Sequence, residues 1–186
     1  ERGPRRILEI GSGFSTRLAL SALEKNRQAG KPGVLTLCDP KPPRWGRTGS
    51  DGIERIVPSR VQELSLGEFT DLGASDMLFI DSTHVLAIGS DVQFSFLDVL
   101  PRLNPGVLVH VHDIFFPQEY PEYWVRDRMR FWNEQYLLQA FLAFNAGFRT
   151  VWASHWMSVR HEDQLRRAIP SFAPGKSPGS FWMERI

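Results

Sequence analysis

The chain of 186 residues has little of several features that would each point to a particular class of protein. It has one cysteine, Cys38, which excludes an internal disulfide framework. No uninterrupted apolar run approaches the roughly 20 residues that a membrane-spanning helix needs, so we expect no membrane partner. The formal net charge is only +1, which gives no electrostatic reason to expect nucleic acid as a partner.

What remains is the composition of an ordinary globular domain, with 42% hydrophobic and 23% charged residues. We therefore expect residues 1–186 to form a single domain around one core, with a small molecule as the partner. The sequence has neither an initiator Met nor a basic-then-apolar signal segment at its start. A cytoplasmic location is the default expectation.

Short apolar segments alternate with helical patterns along the chain. Five such alternations predict an α/β fold of the Rossmann-like, doubly wound kind, with a mostly parallel sheet. Two late apolar segments, over 148–157 and 180–186, predict a C-terminal antiparallel pair of strands. Helices are predicted over 85–100 and, with many aromatic residues, over 122–144.

The most informative segment runs from Arg6 to Thr16, where a short apolar strand breaks into a glycine turn. Gly11 and Gly13 allow the backbone to turn sharply and to approach a ligand, and Ser15 or Thr16 can cap the helix that follows. The dinucleotide fingerprint has a third glycine where this chain has Thr16. The charge of Glu9 would repel a pyrophosphate but suits the amino group or sulfonium of S-adenosylmethionine.

A second acid follows the next predicted strand. Asp39 closes the apolar segment Val34–Cys38, at the place where many nucleotide-binding sheets hold the ribose hydroxyls. A carboxylate can accept two hydrogen bonds from a vicinal diol, so Asp39 is the candidate for this contact. Gln62 falls further along, near where an adenine would lie.

The order and spacing of these segments resemble a class I S-adenosylmethionine-dependent methyltransferase over nearly the whole chain. More narrowly, the chain is similar to small bacterial members with Ile-Asp-x-x-His after strand four and His-Asp-Ile after strand five. The segments that carry the resemblance are Leu8-Glu9-Ile10-Gly11-Ser12-Gly13-Phe14-Ser15-Thr16, Asp39, Phe79-Ile80-Asp81-Ser82-Thr83-His84, Leu103-Asn104-Pro105-Gly106, His112-Asp113-Ile114 and Phe131-Trp132-Asn133-Glu134-Gln135-Tyr136-Leu137-Leu138.

The resemblance implies S-adenosylmethionine as the cofactor and methyl transfer as the activity. The residues expected to bind the cofactor are Glu9, Gly11, Ser12, Gly13, Thr16, Asp39 and Gln62. Related O-methyltransferases bind a divalent metal at the ends of strands four and five, where this chain has Asp81, His112 and Asp113. His112 stands where those relatives more often have a carboxylate, and imidazole suits softer metals than magnesium.

Transfer to a hydroxyl group of a small-molecule acceptor needs a group that removes a proton. His112 and His84 both follow predicted parallel strands at the ligand-binding edge, and an imidazole titrates near neutral pH. Either histidine is a candidate base, with Asp81 orienting the acceptor. His110 is expected to face the other side of the sheet from His112 and to be structural.

Two other functions are also compatible with the sequence. One is a nicotinamide-dependent oxidoreductase, against which Thr16 and Glu9 argue. The other is a non-catalytic module that binds the cofactor or a protein partner through the aromatic helix over 122–144. That helix is expected to be a core surface or a homodimer surface rather than a substrate cage. Candidate acceptor contacts next to it are Tyr120, Tyr123 and Trp124.

Overall fold

A computed structural model describes residues 3–45, 52–173 and 175–186. The described strands form one sheet of seven members in the order β3-β2-β1-β4-β5-β7-β6. Their bounds are β1 (Arg6–Ile10), β2 (Val34–Cys38), β3 (Ile53–Val57), β4 (Met77–Ile80), β5 (Leu108–His112), β6 (Phe148–Ala153) and β7 (Ser180–Arg185).

Strands β1 to β5 pair in parallel, and β7 lies antiparallel between β5 and β6. This arrangement confirms the predicted Rossmann-like fold with its C-terminal antiparallel strand. The inner parallel strands β1, β2, β4 and β5 are largely buried and consist mainly of apolar residues, whereas the edge strand β3 exposes Glu54 and Arg55.

The helices lie on both faces of the sheet. Their bounds are α1 (Phe14–Gln28), α2 (Gly67–Thr70), α3 (Asp91–Gln93), α4 (Glu122–Arg126), α5 (Glu134–Leu142), α6 (Ser154–Arg160) and α7 (Glu162–Ala168). A 3-10 turn spans Val61–Glu63, and α3 continues as a π-helical stretch, Phe94–Val99, and a second 3-10 turn, Leu100–Arg102. Within the described ranges, no helix is long and apolar enough to cross a membrane.

The main core lies on the sheet face that α3 and α5 cover. Leu8, Leu78 and Val109 are neighbours in register across β1, β4 and β5, and each is at most 3% exposed. The helices add buried side chains such as Phe96 and Leu138 to this layer. A smaller cluster beneath α1 covers the other face of β1 and β2.

His110 and His112 lie on the same face of β5, which corrects the prediction that they face opposite sides. Residues two apart in a strand point to the same side, and the two ring centroids are 5.6 Å apart. His110 stacks on Phe79 of the neighbouring strand, with ring centroids 3.9 Å apart. Both histidines line a mostly apolar cavity of about 670 Å³ together with Trp182.

The aromatic segment over 122–144 is not one helix, which is a second correction. Helix α4 ends at Arg126 and α5 begins at Glu134, and Met129 between them has a positive φ of 52°. The backbone N–H groups of Asn133 and Glu134 donate to the carbonyl oxygen of His84 at 3.0 and 3.3 Å. Hydrogen bonds to the loop after β4 therefore replace those of a continuous helix. A homodimer through this segment stays a prediction.

The helix predicted over 85–100 begins only at Asp91. Ser90 caps it, because its hydroxyl oxygen accepts from the backbone N–H of Gln93 at 3.1 Å. The hydroxyl group of Thr83 donates to Asp91 at 2.6 Å, and this hydrogen bond ties the loop after β4 to the first residue of α3. Strand β6 ends at Ala153 and helix α6 follows at once, so the strand predicted over 148–157 is also shorter than expected.

A buried carboxylate at the start of β4 ties that strand to β1. Asp76 is 0% exposed and accepts from the backbone N–H of Arg6 at 3.1 Å, from its guanidinium at 2.7 Å, and from Gly73 at 3.0 Å. An Asp76→Ala variant leaves these donors unpaired and should lose about 2 to 3 kcal/mol of unfolding free energy. Urea denaturation measures the loss.

The matched control is Glu122→Ala, which removes an exposed carboxylate paired with Arg126. Solvent screens such a pair, so no measurable loss is expected. Equal stability of the Asp76→Ala variant and the unmodified protein would contradict the role given to this residue.

Candidate active site

The carboxyl ends of β1, β2, β4 and β5 meet at one edge of the sheet, and a cavity of about 500 Å³ opens there beside β1, β2 and β4. Three of the residues predicted to bind the cofactor line it, namely Gly11, Asp39 and Gln62. The loop after β4 contributes Asp81 to the same cavity. Open parallel sheets bind their ligands at this edge.

Gly11, directly after β1, lies against the backbone at the ends of β2 and β4. Its φ is +86°, and a Cβ atom built there would lie 2.1 Å from the carbonyl oxygen of Asp81. Its N–H donates to the carbonyl oxygen of Cys38 at 2.9 Å. Only glycine fits this position. Gly13 has open space where a side chain would stand, so backbone there can be approached by a ligand.

Asp39 is held in a fixed orientation at the end of β2. One carboxylate oxygen accepts from the backbone N–H of Lys41 at 2.7 Å, and the other accepts from the hydroxyl group of Ser12. Each oxygen retains a further lone pair, which suits the two hydroxyls of a ribose. Gln62 lines the same cavity, where its side-chain amide donates to the carbonyl oxygen of Gly89 at 2.8 Å.

Glu9 does not line this cavity but lies on the other side of β1, beside the larger apolar one. It is 1% exposed, and one of its oxygens accepts from the hydroxyl group of Ser15 at 2.7 Å. The other oxygen, Oε2, is buried with no hydrogen-bond partner. Burial raises the pKa of Glu9 to about 7. An orphaned carboxylate oxygen beside the glycine loop fits the cationic end of the cofactor.

Thr16 takes the helix-capping role that was predicted for Ser15 or Thr16. Its side chain is 0% exposed, and its hydroxyl oxygen accepts from the backbone N–H of Gly13 at 3.0 Å. The residue therefore caps the start of α1 rather than lining the 500 Å³ cavity. Ser12 reaches the site only through its hydrogen bond to Asp39.

His84 is surrounded by three carboxylates. Its Nδ1 lies 2.7 Å from Oε2 of Glu134, and its Nε2 lies 3.4 Å from Oδ1 of Asp81 and 3.8 Å from Oδ2 of Asp113. Burial alone would lower the pKa of His84, but the hydrogen bonds to Asp81 and Glu134 raise it to about 9. His84 therefore holds its second proton at neutral pH.

Glu134 is a residue that the sequence reasoning missed. It is 0% exposed, and besides His84 it accepts from the hydroxyl group of Ser82 at 2.9 Å. Burial raises the pKa of this carboxyl group, and the hydrogen bond from His84 counteracts that effect. In the sequence, an acid that begins a helix has the ordinary explanation of a favourable helix terminus, so no local signal separates Glu134 from a surface residue.

His112 is the more accessible of the two candidate bases, with 37% of its side chain exposed. Its Nδ1 lies 3.2 Å from Oδ1 of Asp113 and 4.0 Å from Oδ1 of Asp81. Burial lowers the pKa of His112, but these two carboxylates outweigh that effect and raise it. No hydrogen-bond partner of Nε2 is found in the part of the chain that the structure describes. This nitrogen is free to face an acceptor.

Asp81 connects the histidines with the 500 Å³ cavity. Burial raises its pKa, but the hydrogen bond from His84 and the charge of His112 outweigh burial and lower it. The backbone at His84 and Asp113 has positive φ values of 62° and 55°. Such backbone is uncommon for residues other than glycine and is found at functional sites.

The residues implied as metal ligands, Asp81, His112 and Asp113, do not fit that role. Over residues 3–45, 52–173 and 175–186, no group of three or more His, Cys, Asp or Glu side chains has the geometry to hold a metal ion. The cationic group between Asp81 and Asp113 is the imidazole of His84. The acids that a metal would need are already engaged by this side chain.

The sheet order, the glycine turn and the acid at the end of β2 together define the class I methyltransferase fold. The model of a family described as "Methyltransferase domain" matches residues 8–114, which is more than half of the chain. The chain therefore belongs to this family of methyltransferases, and membership implies S-adenosylmethionine as the methyl donor. No curated protein matches the chain.

The buried carboxyl group of Glu9 makes stability depend on pH. Its pKa is near 4.5 in the unfolded chain and about 7 in the folded protein, so the folded protein binds more protons between these values. Stability therefore falls as the pH rises through this window and is lowest above pH 7. A Glu9→Gln variant should gain up to about 3 kcal/mol of unfolding free energy at pH 8.

Urea denaturation at pH 5 and pH 8 measures this difference, which should be small at pH 5. The control is Glu63→Gln, which changes an exposed glutamate and should behave as the unmodified protein at both pH values. A Glu9→Gln variant that is less stable than the unmodified protein at pH 8 would contradict the assignment.

Proposed function

We propose that this methyltransferase transfers the methyl group of S-adenosylmethionine to a hydroxyl oxygen of a small-molecule acceptor. The observation that carries the proposal is the position of Asp81. This residue lines the 500 Å³ cavity and also lies within 4.0 Å of both His84 and His112. Asp81 thus connects the proposed cofactor cavity with the two imidazoles.

In this proposal, Asp39 binds the ribose hydroxyls and Gln62 flanks the adenine. The loop at Gly11 and Gly13 holds the methionine end, which extends past β1 to the carboxylate of Glu9 beside the larger cavity. The orphaned Oε2 of Glu9 supports the last assignment, since a buried carboxylate oxygen gains a partner when the amino group of the cofactor arrives. S-adenosylmethionine, when bound, supplies an electrophilic methyl group.

The two histidines take different roles. His112 is the base, because the carboxylate of Asp113 lies on its Nδ1 side, at 3.2 Å, and Nε2 is left to take the proton of the acceptor hydroxyl. His84 already carries a proton at neutral pH, since its pKa is raised to about 9. It is a positioning residue that holds the carboxylates of Asp81 and Asp113 in place. Glu134 fixes its ring from the other side.

The two other functions considered from the sequence have less support. Family membership and Thr16, in the place of a third fingerprint glycine, count against a nicotinamide-dependent oxidoreductase. A non-catalytic module would need neither a free imidazole nitrogen at His112 nor the buried carboxylates around His84. Both features support catalysis.

The ribose contact gives a test of the cofactor site. An Asp39→Ala variant should bind S-adenosylhomocysteine more weakly by about 1 to 3 kcal/mol, because charge-assisted hydrogen bonds are lost. Isothermal calorimetry measures the affinity. The control is Asp98→Ala, which removes an exposed carboxylate paired with Arg102 and should leave the affinity unchanged. Absence of binding to the unmodified protein would overturn the proposal as a whole.

The proposed base gives a test of the chemistry. A His112→Ala variant should lower kcat by about 10²- to 10⁴-fold, the usual contribution of a general base, with the affinity for S-adenosylhomocysteine unchanged. Release of S-adenosylhomocysteine in the presence of a panel of small hydroxylated acceptors measures turnover. The control is His161→Ala, which changes a histidine packed on Trp156 outside the site.

An equal loss of turnover and of cofactor affinity would show that the division of roles is wrong. Unmodified protein that binds the cofactor but methylates no acceptor of the panel would favour the non-catalytic module instead.

A further inference from the structure

Between α4 and α5, the guanidinium of Arg130 stacks against two indole rings. Its central carbon lies 4.9 Å from the ring centroid of Trp124 and 4.8 Å from that of Trp132. The two indoles are 5.0 Å apart and nearly perpendicular, at 77°. The backbone N–H of Arg130 donates to the carbonyl oxygen of Trp124 at 2.9 Å, which fixes the residue between the rings.

The N–H groups of this guanidinium make no hydrogen bond or ion pair with any residue in 3–45, 52–173 or 175–186. Arg126, four residues earlier at the end of α4, is different, because it pairs with Glu122 at 3.0 Å and with Asp127 at 2.8 Å. Stacking uses the faces of a guanidinium and leaves the edge free, and that edge matches the two oxygens of a carboxylate or phosphate. Arg130 is therefore a cation prepared for an anionic group.

A second unpaired donor lies next to it. The indole Nε1 of Trp124 is buried without a hydrogen-bond partner. Polar groups that are buried and unpaired in a free protein gain a favourable interaction when a ligand oxygen reaches them. The guanidinium of Arg130 and the indole N–H of Trp124 are thus two neighbouring donors without an acceptor among the described residues.

The position of Arg130 relates it to the active site. The ring of Trp132 packs on the imidazole of His84 with centroids 4.1 Å apart. Trp132 therefore contacts both Arg130 and His84. The carboxylates of Asp81 and Asp113 lie next to imidazoles, which offset part of their negative charge near this segment.

We propose that Arg130 binds an anionic group of the methyl acceptor, which makes the acceptor a small hydroxylated compound that also carries a carboxylate or a phosphate. The inference rests on the proposed function, because it names the substrate class of the same site. Arg130 determines specificity by holding the anion, while the hydroxyl group of the acceptor faces His112.

The experiment measures binding of simple probes to protein saturated with S-adenosylhomocysteine. The probes are benzoate, phenyl phosphate and the neutral benzamide. Tryptophan fluorescence is a suitable readout because Trp124 and Trp132 contact the guanidinium, and saturation-transfer NMR gives an independent measure. Benzoate or phenyl phosphate should bind at least 10-fold more tightly than benzamide, and the tighter of the two anions identifies the natural group.

An Arg130→Gln variant should lose at least 10-fold in affinity for the anion and keep its affinity for benzamide. Arg130→Lys keeps the charge against the indoles but loses the forked edge, so its affinity should fall between those of the other two proteins. The matched control is Arg126→Gln, which removes a neighbouring arginine that already has carboxylate partners. This control should bind the anions as the unmodified protein does.

The inference is overturned if benzamide binds as tightly as the anions, if no anion binds, or if Arg130→Gln and Arg130→Lys both bind the anion normally. Calorimetry with S-adenosylhomocysteine on the same proteins separates the two proposals. Loss of cofactor binding in the unmodified protein removes the proposed function, whereas normal cofactor binding with Arg130-independent anion binding removes only the inference about the acceptor.

Discussion

The buried imidazolium of His84 is the interaction on which the site depends. It lies between Glu134 on one side and Asp81 and Asp113 on the other, so it joins the loop after β4, the end of β5 and the start of α5. The backbone carbonyl oxygen of His84 also accepts hydrogen bonds from the N–H groups of Asn133 and Glu134 at the start of α5. The attraction between the imidazolium and these carboxylates offsets the cost of removing them from water, and loss of the cation would leave buried acids without a partner.

This arrangement gives two histidines at one sheet edge different surroundings, although neighbouring carboxylates raise the pKa of both. His84 is enclosed by acids and stays protonated, whereas His112 has acids only at Nδ1 and keeps a free nitrogen. The same enclosure engages Asp81 and Asp113, two of the residues implied as metal ligands, with the imidazole of His84. The aromatic segment between α4 and α5 covers His84 through Trp132. The same ring stacks on Arg130, so it contacts both a residue of the proposed active site and the residue proposed to bind the acceptor.

The sequence allowed the sheet, the glycine turn and the acid at Asp39 to be predicted, because each depends on local pattern and on the rule that parallel strands end at a common edge. Glu134 and the break in the aromatic segment were not predictable, since both come from contacts with a loop about 50 residues away. Periodicity alone would have predicted that segment as a helix in any protein. The shared face of His110 and His112 follows from the period of a strand and was misjudged.

The left-handed backbone at His84 and Asp113 has a consequence for how this enzyme can change over evolution. Each such residue stores roughly 1 to 2 kcal/mol of conformational strain that glycine would relieve. Glycine at position 84 would relieve that strain but would also remove the imidazolium that compensates three carboxylates, so the strained backbone and the charge compensation come from the same residue. Selection for heat resistance alone would therefore tend to keep His84 in spite of its strained backbone, because its loss would leave buried acids uncompensated.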